Sequence, residues 1–188
     1  MSKTRAIYSL PRAQQAVAVV RDALQRIRYR TTRTGYYFCS LSPCSPAAAD
    51  KLRWSNLWAV SEKIERTCQV CAKGSLVLSY ARLLGGVPTG LVLDYNQCTL
   101  IGRRRGVDAV LRTLFSRVTL CLVECAFECS PHFAMGHAPQ ALREAAAQFG
   151  SHYADPQARL RAILKNSIKN NGKFMPLVPH RQKGRDAA

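Results

Sequence analysis

The sequence is poor in acidic residues. Its 188 residues include 28 Lys and Arg but only 11 Asp and Glu, which gives a formal net charge of +17 at pH 7. An excess of this size opposes compaction through self-repulsion and is typical of proteins that bind a polyanion, most often nucleic acid. The composition therefore predicts an anionic partner, although charge alone does not locate the binding surface.

Apolar runs long enough to cross a bilayer are also missing. Runs such as residues 17–20 and 119–123 are too short and too closely flanked by charge. The N-terminal MSKTRAIYSLPR has no apolar stretch of signal-peptide length and no small-residue cleavage pattern. Because hydrophobic residues still make up 47% of the chain, as in globular proteins, we expect a cytoplasmic globular protein without a transmembrane segment.

Sequence motifs of known chemistry are absent as well. The chain has no zinc-finger spacing, RNA-recognition motif, KH loop, P-loop, GxGxxG or HExxH, and no internal repeat. Glu124 and Glu128 are four residues apart on one predicted helix face and fit an ion pair with Arg, a metal site or an acid–base pair, but a pair of this kind is usually structural. The sequence therefore favours a non-enzymatic binding protein.

Eight cysteines are present, and two of them form a C-x-x-C motif, Cys68 and Cys71. A tetrahedral zinc site needs a second pair of ligands, and Cys129 with His132 has comparable spacing. One interpretation is thus a zinc-stabilised domain held by these four residues. The site would close a loop of much of the chain rather than a short ribbon, and the main interpretation includes no cofactor.

A second interpretation of the same motif is a cysteine-dependent enzyme, in which Cys68 or Cys71 has a lowered pKa and a histidine acts as base. A thioredoxin-like redox pair fits less well, since the residues before Cys68 have a helical pattern. The simplest interpretation is that cysteine acts as a small apolar residue within buried helices in a reducing compartment. The same interpretation applies to three cysteines that recur at every fourth position: Cys121, Cys125 and Cys129.

Apolar periodicity predicts a mainly α fold, a single-domain bundle of five or six helices with a small β-hairpin, with an α+β fold as the alternative. The predicted helices cover residues 12–28, 47–66, 67–84, 107–129, 140–149 and 157–170. The apolar helix 107–129 is expected at the centre of the bundle. The hairpin is predicted near residues 90–101, and extended or hairpin structure is predicted over 29–41. We expect one globular domain over 1–176 and a basic flexible tail over 177–188.

The basic residues fall into three clusters. The first two are rich in arginine, whose planar guanidinium suits bidentate contacts with phosphate. These two clusters are Arg26, Arg28, Arg30 and Arg33, and Arg103, Arg104 and Arg105. The third includes Arg161, Lys165 and Lys169, which share one face of the last predicted helix at four-residue spacing.

The last predicted helix carries almost no acid to compensate these cations. Like charges four residues apart cost a helix a few tenths of a kcal/mol, whereas Glu–Lys pairs would stabilise it. The alternative interpretation is a charged face that is merely exposed to solvent. A row of cations without neighbouring acids instead favours a surface that contacts phosphates. We therefore predict a DNA- or RNA-binding protein, with an accessory or inhibitor protein that docks on an acidic protein as the alternative.

Overall fold

The computed structural model describes residues 7–28, 33–34, 40–41, 68–84, 91–94, 99–102, 110–133 and 137–176, and only the backbone of the strands, of Arg28 and of Ala81. Its main helices are α1 (Arg12–Arg28), α2 (Ala72–Leu84), α3 (Arg117–Glu128), α4 (Gln140–Ser151) and α5 (Pro156–Lys169). The mainly α fold is confirmed. None of the helices in these ranges is long and apolar enough to cross a membrane.

Helices α1 and α5 pack antiparallel along their length. At one end the Gln157 side chain donates to the Ile27 carbonyl at 3.1 Å. At the other end Asn171 and Gly172 reverse the chain with positive φ angles of 53° and 84°. A Cβ on Gly172 would lie 2.8 Å from the Cβ of Ala16, so the two chains approach closely there. The small side chain of Ala16 permits this approach.

Helix α3 lies in the core and packs against α2, α4 and α5. Its central location is confirmed, but the predicted helix 107–129 is interrupted: residues 110–111 are helical, residues 112–116 are not, and α3 begins at Arg117. Residues 107–109 lie outside the described residues. The Ser116 hydroxyl accepts a hydrogen bond from the Thr119 amide at 3.0 Å and caps the helix there. The Arg12 guanidinium donates to the carbonyls of Arg112 at 2.7 Å and Leu114 at 3.3 Å, which holds the preceding residues in turns.

The predicted helix 67–84 is also wrong at its start. Residues Cys68–Val70 form strand β3, and α2 begins at Ala72. Strand β3 pairs in parallel with β1 (Arg33–Thr34) and antiparallel with β2 (Ser40–Leu41). Backbone hydrogen bonds to these distant strands satisfy the amides of the segment and override its local helical pattern.

The predicted hairpin is confirmed as β4 (Leu91–Asp94) and β5 (Thr99–Gly102), which pair antiparallel from Leu91↔Gly102 to Asp94↔Thr99. It belongs to a five-stranded sheet with the order β1-β3-β2-β5-β4. The two short strands β1 and β2 account for part of the predicted extended segment 29–41. The predicted helix 47–66 and the tail 177–188 lie outside the described residues.

The two C-terminal helices agree with their predicted bounds to within two residues. Helix α5 begins where the sequence indicates, because the Asp155 carboxylate accepts from the amides of Gln157 and Ala158, at 3.2 and 2.9 Å, and Pro156 occupies the first turn. This cap fixes where the basic positions of α5 fall around the helix.

Candidate nucleic-acid interface

The outer face of α5 carries three of the predicted site residues at four-residue spacing, Arg161, Lys165 and Lys169. Lys165 and Lys169 are exposed, and Arg161 is half-buried. With a rise of about 1.5 Å per residue, neighbouring members of the stripe are about 6 Å apart along the helix axis. The opposite face enters the core through Leu160, Ile163 and Leu164, each at most 1% exposed. Helix α5 thus has a basic outer face and an apolar inner face.

The basic stripe, defined here as Arg161, Lys165 and Lys169, forms no ion pair with an acid in the described part of the chain. Four acids of that part are engaged elsewhere, in ion pairs, in a helix cap or in a hydrogen bond. Asp22 forms ion pairs with Arg26 and Arg82, and Glu124 forms an ion pair with Lys73. The Asp155 carboxylate caps α5, and the Glu144 carboxylate accepts a hydrogen bond from the Gln140 side chain. The stripe therefore keeps its full positive charge towards solvent.

Arg161 has an unusual environment within this stripe. Its Nε atom is buried and forms no hydrogen bond in the structure. A buried donor without an acceptor lowers the stability of the folded state by about 1–3 kcal/mol. The Arg161 Nε therefore contributes no stabilising hydrogen bond.

The remaining polar side chains of α5 bond within the protein. Gln157 donates to the Ile27 carbonyl, and Asn166 forms a pair of hydrogen bonds with the backbone of Met175, both at 2.9 Å. Asn170 donates to the Asn166 side chain at 3.1 Å. Arg159 donates to the Phe127, Gly150 and Tyr153 carbonyls at distances of 2.7–3.2 Å.

The structure places the backbone of part of the first basic cluster near α5. The C-terminal end of α1, where Arg28 lies, is beside the N-terminal end of α5, and β1, which contains Arg33, contacts α5. Arg26, however, donates from Nε to the Asp22 carboxylate at 3.1 Å, and Arg82 binds the same carboxylate. Arg26 thus has a structural partner in the core, with Asp22 only 5% exposed.

The remaining arginines of the predicted interface, Arg30 and residues 103–105, lie outside the described residues. Their part in binding stays a prediction.

The C-x-x-C motif spans the junction between β3 and α2, with Cys71 directly before the helix. The Gly74 amide donates to the Cys71 sulfur at 3.5 Å. Burial, with a smaller contribution from the Glu124 and Glu128 carboxylates, raises the pKa of Cys71 to about 11. A nucleophilic thiol needs a pKa shift in the opposite direction.

The predicted zinc ligands fall on separate elements. Cys71 precedes α2, Cys129 ends α3 in the left-handed region with φ 53°, and His132 is exposed in the following loop. Among the side chains that the structure describes, no three of the types His, Cys, Asp and Glu are grouped to hold a metal ion. The Cys68 side chain is not among them, so the four-ligand set stays a prediction.

Sequence reasoning missed the buried ion pairs. Lys73 and Glu124 meet at 2.8 Å with only 8% and 16% of their side chains exposed, and they join α2 to α3. Burial and the neighbouring Glu124 raise the pKa of Glu128, while Arg159 opposes the shift. The four-residue spacing of Asp22 and Arg26 was a local signal for one such pair. Lys73, the partner of Glu124, lies on another helix, and nothing local indicates it.

No protein-family model, no curated protein and no solved structure matches the chain.

Proposed function

We propose that the protein binds nucleic acid through the outer face of α5, without catalysing a reaction. The observation that carries the proposal is the basic stripe, whose three cations pair with no acid in the described part of the chain. Lys169 also stabilises the last turn of its helix through the macrodipole. Arg161 and Lys165 have no such structural benefit, and their presence is explained by an external anion.

Nucleic acid fits this face better than an acidic protein does. The stripe is linear and regular, with a cation about every 6 Å, and a nucleic-acid strand offers a matching row of fixed negative charges. Arginine beside lysines is the usual composition of phosphate-binding surfaces. The net charge of +17 supplies long-range attraction to a polyanion.

Fluorescence anisotropy with labelled single- and double-stranded DNA and RNA, measured across a salt series, tests the proposal. We expect micromolar or tighter binding at low salt and a steep negative slope of log K on log salt. In the double variant Lys165→Gln/Lys169→Gln, the slope should decrease by about 2, one for each phosphate contact that is lost.

A matched control separates local contact from net charge. The double variant Ala141→Glu/Gln148→Glu also lowers the net charge by two, but at exposed positions of α4. We expect its salt slope to stay close to that of the wild type. Equal losses in both double variants, or no binding by the wild type at low salt, would contradict the proposed interface.

A further inference from the structure

Most side chains of α5 that could recognise bases are already bonded inside the protein. Bases are read in the major groove by the amides of Asn and Gln, which pair with adenine, and by Arg or Lys, which pair with guanine. The Asn, Gln and Arg residues of α5 and its C-cap are Gln157, Arg159, Arg161, Asn166 and Asn170. All except Arg161 form hydrogen bonds within the protein.

The environment of α5 also prevents the helix from entering a groove. An α-helix with its side chains is about 10–12 Å across and nearly fills a major groove about 12 Å wide, so a reading helix must present a broad exposed face to the groove. Helix α5 packs against α1 and α3 and contacts β1. Asn166 binds Met175, which holds the returning chain against another flank. Between residues 156 and 169, only Lys165 and Lys169 are exposed.

The surface that α5 presents to solvent is therefore the basic stripe, a narrow ridge of cations. Two lysines act as point charges on flexible stems, and the single arginine has its Nε buried. Such a ridge can lie along a sugar–phosphate backbone from outside, where contacts with phosphates position the protein but carry no direct sequence information.

We infer that the basic stripe contacts phosphates only and binds nucleic acid without sequence preference. The inference rests on the proposed function and specifies its ligand, the phosphodiester backbone. It predicts that inorganic polyphosphate, a phosphate polyanion without bases, occupies the same face. DNA and RNA share this chemistry, and the experiment compares both.

The test measures the affinity of the wild-type protein for sets of DNA and RNA oligonucleotides of equal length and permuted sequence. For a surface that reads bases, a single mismatched base pair typically costs about tenfold in affinity. We expect the spread within each set to be well below that factor. We also expect polyphosphate to displace the labelled nucleic acid completely. The variant Lys165→Gln/Lys169→Gln should lose the same factor of affinity for every sequence.

The outcomes separate the inference from the proposed function. A preference of about tenfold or more for one sequence would overturn the inference and leave nucleic-acid binding intact. Binding of neither nucleic acid nor polyphosphate would overturn both. Polyglutamate provides a polyanion without phosphate. If it displaces nucleic acid as well as polyphosphate of equal charge does, the face does not recognise phosphate, and an acidic protein becomes the better candidate partner.

Discussion

Gly150 of α4 lies directly against the backbone carbonyl of Ala126 in α3. A Cβ on Gly150 would overlap the carbonyl oxygen and come within 2.7 Å of the carbonyl carbon. The contact allows α3 and α4 to pack at a distance that no residue with a side chain would permit, and Ala146 of α4 is fully buried nearby. The Arg159 guanidinium, which binds the Gly150 and Phe127 carbonyls, bridges the same two helices.

Substitution of Gly150 by alanine is therefore expected to destabilise the protein. The clash is with backbone, which cannot move aside like a flexible side chain, so we expect a loss of about 3 kcal/mol in the free energy of unfolding. Urea denaturation followed by circular dichroism measures it. Gln148→Ala, at an exposed position of the same helix, should change stability by less than about 0.5 kcal/mol. Equal stability of Gly150→Ala and wild type would contradict the close helix contact.

Glu128 should make stability depend on pH. Burial raises its pKa in the folded state above the ordinary value of 4.5, with Glu124 adding to the shift. The protonated form is therefore favoured by folding, and this stabilisation is present below pH 4.5 and is lost as the pH rises through the raised pKa. Glu128→Gln should thus gain stability relative to wild type as the pH rises from 4 to 7.

Urea denaturation of both proteins at several values of pH measures this difference. The control Glu144→Gln removes an equal charge at an exposed position of α4 and should show no such pH-dependent gain. A difference between Glu128→Gln and wild type that is constant from pH 4 to 7 would show that folding does not perturb the Glu128 carboxyl group.

The Cys71 thiol should react slowly. At a pKa of about 11 it forms about 100-fold less thiolate near neutral pH than a thiol at 9.0. Alkylation by iodoacetamide at pH 7.5, followed for each cysteine by mass spectrometry, should modify Cys71 far more slowly in the native protein than in urea. Alkylation of native Cys71 at least as fast as that of free cysteine would instead support the cysteine-dependent enzyme.

Arg161 allows binding to be separated from folding. Because its buried Nε forms no hydrogen bond with the described residues, Arg161→Met should leave stability unchanged or raise it slightly. The same variant should bind nucleic acid more weakly, with a salt slope smaller by about 1. Thermal unfolding and anisotropy on the same preparations measure both effects. Strong destabilisation would show that Arg161 has a structural role.

The sequence predicts those parts of the fold that depend on neighbouring residues. Helix α5 could be predicted from its cap at Asp155 and from the helical spacing of its apolar residues. The basic stripe could be predicted from the same spacing. The start of α3 could not be predicted, because the apolar pattern runs through Ser116 without a break. Strand β3 could not be predicted either, since Cys68 and its neighbours are paired with strands about 30 residues earlier in the chain.

In the candidate interface, too, the features that depend on neighbouring residues could be predicted, and those that depend on distant contacts could not. Its outward cations could be recognised from spacing within one helix. The structural role of Arg26 could not be inferred in full, since its carboxylate partner Asp22 is shared with Arg82, 60 residues away from Asp22. The hydrogen bonds that engage Arg159 likewise depend on the packing of α3 and α4.

The antiparallel packing of α1 and α5 has a consequence for the order in which the protein can fold during synthesis. Gln157 and Ile27, which join the two helices, are 130 residues apart in the chain. A ribosome therefore releases α1 long before α5, and the part of the apolar face of α1 that packs against α5 stays exposed until α5 has been made. Contacts of such long range slow folding and leave apolar surface open to misassembly in the meantime.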